Sequence, residues 1–232
     1  MQQTALNLVA IGIFGMTLSA LLGPMLNISP AIPALTTVSI LSLATLDSFS
    51  FQGKGGALLL DWVARISPQH RDRILHHEAG HFLVAYILGI PITGYTLTAW
   101  EAFKQGQPGL GGVTFDTDNL SPNALNVQQL QLTLDRFCKV WMAGIAAETL
   151  VYGNAEGGTE DRQKLREALS SLKRPARECP LKERWAMQQA QALIEDHKAA
   201  YEALIVAMKE RASISECIQA IQQHYPKANI AA

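Results

Sequence analysis

The alternation of apolar and polar positions divides this chain into two unlike parts. No Asp, Glu, Lys, Arg or His precedes Asp47. Ala5 to Leu26 is an almost unbroken apolar run, long enough as a helix to cross a bilayer, with Asn7 and Pro24 near its ends. Asn27-Ile28-Ser29-Pro30 reads as a turn. Ala31 to Leu46 is a second, shorter apolar run, richer in Ser and Thr. The pattern predicts a transmembrane helical hairpin over 1–50. A re-entrant or interfacial segment is the competing reading of the second run. A secretory signal peptide fits poorly, because neither a basic n-region nor a cleavage site is evident.

From there the periodicity changes. Residues 51–66 form a juxtamembrane linker, in which Ala57 to Ile66 has the pattern of a short amphipathic segment lying on a membrane surface. Residues 67–232 form a mainly α domain with a small β element. Ser67 as N-cap and Pro68 at the first helical position open a helix that Gly89 and Pro91 close. Ile92 to Thr98 reads as a strand, with Gly112 to Phe115 as its partner across a loop from Ala99 to Gly111. From Ala124 the pattern is helical, and an alanine-rich segment, Val140 to Tyr152, ends at Gly153. Thr159 is placed as the N-cap of a helix from Glu160 to Leu172. The longest helix is expected over Trp185 to Lys209, with Ala190, Ile194, His197, Tyr201, Leu204 and Met208 on one face. Ser213 and Glu216 have capping-box spacing for a last helix ending at His224.

Charge adds a topology. Nineteen Lys and Arg against twenty Asp and Glu leave a formal net charge of −1, which gives no case for nucleic-acid binding. Lys54, Arg65, Arg71 and Arg73 follow the hairpin while its turn has no positive residue, so the positive-inside tendency puts the following domain on the cytoplasmic side. In a plastid this is the stromal side, as for a thylakoid protein. Cys138, Cys179 and Cys217 lie far apart, with no CxxC, and fit reduced thiols rather than a disulfide framework or a cysteine zinc finger.

The candidate chemistry lies in the first helix of the domain, as His77-Glu78-Ala79-Gly80-His81. Residues four apart share a helix face, so His77 and His81 can aim ring nitrogens at one metal ion with Glu78 beside it as a base. Gly80 lowers helix propensity by about 1 kcal/mol against alanine, which points to a close backbone approach at that turn. A catalytic zinc takes three protein ligands and keeps one position open. His70, His76, His197 and His224 are poor third ligands by position, which leaves a carboxylate among Glu148, Glu156, Glu160 and Asp161.

Four blocks in one order resemble the peptidase domain of the membrane-anchored FtsH proteases, a family of zinc metallopeptidases. They are His77 to His81, Gly111-Gly112-Val113-Thr114-Phe115, Gly144-Ile145-Ala146-Ala147-Glu148 and Gly157-Gly158-Thr159-Glu160-Asp161. The resemblance covers roughly residues 76–172. It implies a helical zincin-like fold, a Zn2+ cofactor held by His77, His81 and Asp161, Glu78 as the catalytic base, and Glu148 as a partner behind the ligands. Ile145 stands where the family usually carries a basic residue, and Thr149 where it carries a second acid. The GxxxxGK[ST] phosphate loop of the family's ATPase module is missing, so the chain resembles the stand-alone relatives that lack it.

The activity this implies is a membrane-anchored endopeptidase acting on unfolded or loosely folded, membrane-associated proteins. Its partners would be the lipid bilayer, protein or peptide substrates, and an ATPase or membrane complex supplied in trans; the sequence leaves an oligomer open. Two other readings compete. One is a non-catalytic membrane scaffold that keeps the peptidase fold. The other is an intramembrane site-2-type metalloprotease, whose HExGH segment His77 to Ile92 also resembles. Against the latter, Arg71, Asp72, Arg73 and Glu78 crowd the helix, and its apolar part is too short to span a bilayer.

Overall fold

The computed structural model describes residues 2–50, 55, 56, 58, 59, 63, 67–106, 112–116 and 127–225. In chain order the elements are α1 (Gln2–Leu22), α2 (Ala31–Ser50), α3 (Pro68–Ile87), β1 (Ile92–Thr96), α4 (Ala99–Lys104), β2 (Gly112–Phe115), α5 (Val127–Tyr152), α6 (Thr159–Ser171), α7 (Cys179–Asp196), α8 (Lys198–Lys209) and α9 (Ile214–His224). The architecture is therefore mostly helical with one two-stranded sheet. Two compact units divide it, Met1–His70 with Thr98–Leu110, and Arg71–Leu97 with Gly111–Ala232.

In the first unit, α1 and α2 are long and apolar enough to cross a membrane. The second apolar run extends four residues past Leu46, and as a 20-residue helix it reaches spanning length. Hydroxyls along both helices donate to carbonyls one turn back: Thr17 to Ile13 at 2.8 Å, Ser19 to Gly15 at 2.8 Å, Thr45 to Leu41 at 2.7 Å. Such bonds satisfy polar side chains where no water is available. The Thr37 hydroxyl also reaches Met16 Sδ at 2.9 Å, joining the two helices. Between them, Gly23–Leu26 forms a 3₁₀ turn closed by Asn27 in the left-handed region.

The segment read as a loop after the first strand is different from expectation. Thr98 leaves the strand, and its hydroxyl accepts a hydrogen bond from the Glu101 N–H at 2.8 Å, capping the six-residue α4. An N-cap bond satisfies an otherwise orphaned donor, and this one starts a turn that periodicity alone is too short to reveal. Lys54, Arg65, Gly111 and most of the amphipathic segment read over Ala57 to Ile66 lie outside the described residues.

The second unit is built on the crossing of α3 and α5. Proline opens α3 as expected, and Gly89 at φ +69° follows its end. At Gly80 a Cβ would lie 2.6 Å from the Ala143 carbonyl oxygen and 2.7 Å from Ala147 Cβ, so only glycine lets the two backbones approach this closely. Around that contact Phe82, Leu83, Val84, Val140, Leu204 and Ile221 form the main core. A second cluster, including Leu134, Met142, Leu165 and Leu169, packs α5 against α6. β1 and β2 pair antiparallel, with Tyr95 opposite Val113 and Thr96 opposite Gly112.

Two helix boundaries differ from the sequence reading. The stretch Trp185 to Lys209 is broken at His197 (φ −116°, ψ 32°), and α5, at 26 residues, is the longest helix. The His197 ring turns back to donate to the Leu193 carbonyl at 2.9 Å and stacks on Tyr225, while the apolar stripe continues across the break. Thr159 is the first helical residue rather than the cap; Gly158, at φ +87°, precedes it. Ser213 and Glu216 form the expected capping box at the start of α9.

Candidate metal centre

The motif spacing has the predicted consequence. His77 and His81 stand one turn apart on the buried face of α3, with ring centroids 4.7 Å apart. Asp161 approaches them from the first turn of α6, across a gap of 80 residues in sequence from His81. Its Oδ2 lies 3.1 Å from His77 Nε2 and 3.5 Å from His81 Nε2. One ligand atom from each of the three falls within 4.8 Å of the others, and all three residues are buried.

Each imidazole is fixed from behind. His77 Nδ1 lies 2.7 Å from Glu148 Oε1, and His81 Nδ1 lies 2.7 Å from the Val140 carbonyl oxygen. A carbonyl or carboxylate oxygen only accepts, so Nδ1–H donates in both cases and Nε2 faces the shared centre. Gly144 lies directly under the His77 ring, and a Cβ there would overlap it. The ring's position therefore depends on a bare backbone at this point of α5.

Glu148 is the hub of the outer layer. It accepts from His77, from the Glu156 N–H at 2.8 Å and from the Gly157 N–H at 3.2 Å, and it pairs with Arg73 at 3.3 Å. Glu78 points elsewhere: its Oε2 accepts from the Val113 N–H at 3.0 Å, which ties it to β2.

The electrostatics favour a cation. Burial lowers the proton affinity of His77, but hydrogen bonds to Asp161 and Glu148 outweigh it, and the pKa rises to about 10. Burial would raise Asp161, yet His81 and His77 hold its carboxyl far below the usual range. Glu148 is likewise lowered against its burial, by His77, the Glu156 N–H and Arg73. The same carboxylate field that holds a proton on His77 favours a divalent ion in its place. Two imidazoles, each backed by a hydrogen bond, and one buried carboxylate form a donor set that could hold a metal ion.

Of the four carboxylates left open by the sequence, Asp161 joins the pair. Glu148 stands behind His77, Glu156 pairs with Arg73 at 3.4 Å, and Glu160 is exposed. The remaining described histidines of this unit serve packing or capping. His76 meets the Tyr201 hydroxyl at 3.0 Å, and His224 turns back to the Ala220 carbonyl. Ile145 is buried beneath Gly158, and the half-buried Thr149 hydroxyl donates to the Ile145 carbonyl of its own helix.

Three contributors escaped the sequence reading: the Val140 carbonyl, Gly144 and Arg73. Arg73 sits one helical turn before His77, a spacing that places it on the same face. No family model matches the sequence, and no curated protein matches it.

Proposed function

We propose that this chain is a membrane-anchored zinc metallopeptidase of the FtsH type. The observation that carries the reading is the convergence of His77, His81 and Asp161 in one buried cluster. Two imidazoles and one carboxylate are a donor set that would suit Zn2+. Held by His77, His81 and Asp161, the ion would supply Lewis acidity toward a water and a scissile carbonyl.

The chain's residues supply the rest. Glu148 and the Val140 carbonyl hold the two imidazoles in one tautomer and orientation. Glu78 takes the proton of the attacking water on its carboxylate and passes it to the leaving amine. Peptide-bond hydrolysis then balances with one water added and one carboxyl and one amine released. The apolar helices α1 and α2 anchor the catalytic domain at a bilayer, on the cytoplasmic or stromal side by the charge bias of Arg71 and Arg73. Unfolded or loosely folded, membrane-associated proteins are the substrates that this reading implies.

Detergent-purified full-length protein incubated with unfolded casein is the direct test. Cleavage that a chelator stops and added Zn2+ restores supports the peptidase. Stoichiometric zinc with no cleavage would instead favour a membrane scaffold that keeps the fold.

A further inference from the structure

The guanidinium of Arg73 is the point at which the two parts of the metal centre are tied together. Arg73 lies on α3, four residues before His77, and its side chain is only 16% exposed. One arm, Nη1, reaches Glu148 Oε2 at 3.3 Å and the Asn154 carbonyl at 3.2 Å. The other, Nη2, donates to Asn154 Oδ1 at 2.9 Å, and Nε faces Glu156 Oε1 at 3.4 Å. Its Cζ lies 4.3 Å from the centre of the Tyr152 ring, whose hydroxyl donates to Asp72 on α3 at 2.7 Å.

These partners are not scattered. Asn154 and Glu156 belong to the connection from α5 to α6, and Asp161 follows Glu156 by five residues. Glu148 accepts from the backbone of the same connection, at Glu156 and Gly157. One planar cation thus holds the carboxylate that orients His77 and also the segment that delivers Asp161. A forked, rigid donor can bind several acceptors in fixed directions, which a lysine ammonium does not do.

We propose that Arg73 is a positioning residue of the metal centre, acting through Glu148 and the Asn154–Gly157 segment to set Asp161 against the His77–His81 pair. It does not touch the metal or the reacting atoms. This inference rests on the metal reading above. Outer partners of metal ligands typically alter affinity by about 10–100-fold when removed, and a residue that serves two ligands belongs in that range.

The test is Zn2+ affinity of the full-length chain in detergent, measured by competition with a chromophoric chelator, for wild type, Arg73→Ala, Arg73→Lys and Arg71→Ala. Arg71 is exposed on the same helix and serves as the charge control. Arg73→Ala should bind Zn2+ roughly 10–100-fold more weakly, Arg73→Lys should fall between it and wild type, and Arg71→Ala should match wild type. The visible spectrum of the Co2+-loaded chain adds a readout that lost stability alone would not move: it should change in Arg73→Ala as the Asp161 oxygen shifts. If Arg73→Ala loses its helical circular dichroism, the decision passes to folded Arg73→Lys. Affinity and Co2+ spectrum equal to wild type in a folded Arg73 variant would overturn the proposal. Failure of wild type itself to bind Zn2+ would overturn the metal reading instead, so the two failures are distinct.

Discussion

Glu78 Oε2 accepts a hydrogen bond from the Val113 N–H at 3.0 Å, so the acid of the motif is tethered to the sheet and not to the ligand cluster. A glutamine at position 78 can keep that bond through its amide oxygen while losing the ability to take a proton. Glu78→Gln should therefore retain zinc at the wild-type ratio per chain and lower casein cleavage by about 10²–10⁴-fold, the usual worth of a general base. Unchanged cleavage would remove Glu78 from the catalytic role.

Asp161 and Glu148 make different predictions, although both are acids beside His77. Asp161→Ala takes away a ligand atom, and zinc content per chain should fall far below one. Glu148→Gln leaves the three ligands in place and weakens the acceptor that His77 Nδ1, Arg73 and the Glu156 and Gly157 N–H groups share, so affinity should weaken by about 10–100-fold while stoichiometry at saturating zinc is kept. Full occupancy in Asp161→Ala would transfer the ligand role to Glu148.

Two glycines separate folding from metal binding. A methyl at Gly80 meets the Ala143 carbonyl and Ala147 Cβ; a methyl at Gly144 meets the His77 ring itself. Overpacking typically costs about 1–3 kcal/mol, so both alanine variants should melt at lower temperature. Gly144→Ala should lose more zinc affinity in the folded state than Gly80→Ala, because there the added methyl displaces the imidazole directly. Equal affinity in the two folded variants would show that the His77 ring has room to shift.

Much of this was legible in the sequence because it is local. The histidine pair, the Ser67-Pro68 start of α3, the Gly112–Phe115 strand and the Ser213–Glu216 box each depend on residues within one or two turns. Even the close approach at Gly80 could be inferred, since a glycine inside a helix costs stability that something must offset. The break at His197 could not, because the apolar stripe continues through it and no glycine or proline marks the position. Likewise α4 is too short to have a period, and only the Thr98 cap marks it. The Val140 carbonyl is beyond any side-chain pattern: it is a backbone oxygen 59 residues from His81, aimed by the helix crossing.

Proton binding at the centre gives a prediction for the metal-stripped chain. His77 has a folded pKa raised to about 10 from an ordinary value of 6.5. Its contribution to stability is therefore complete below pH 6.5 and is lost as pH rises toward 10. Asp161 and Glu148 are lowered from 3.8 and 4.5, so their contribution is present above those values and is lost as pH falls through the folded ones. These shifts describe one shared set of interactions and are not additive. Melting temperature measured in excess chelator should thus be highest between about pH 4.5 and 6.5 and decline on the alkaline side up to about 10. With saturating zinc the cation replaces the His77 proton, so the alkaline decline should be much smaller, and affinity for zinc should increase with pH over the same interval. A chelated chain whose melting temperature stays constant from pH 6.5 to 10 would show that His77 holds no extra proton between the two carboxylates.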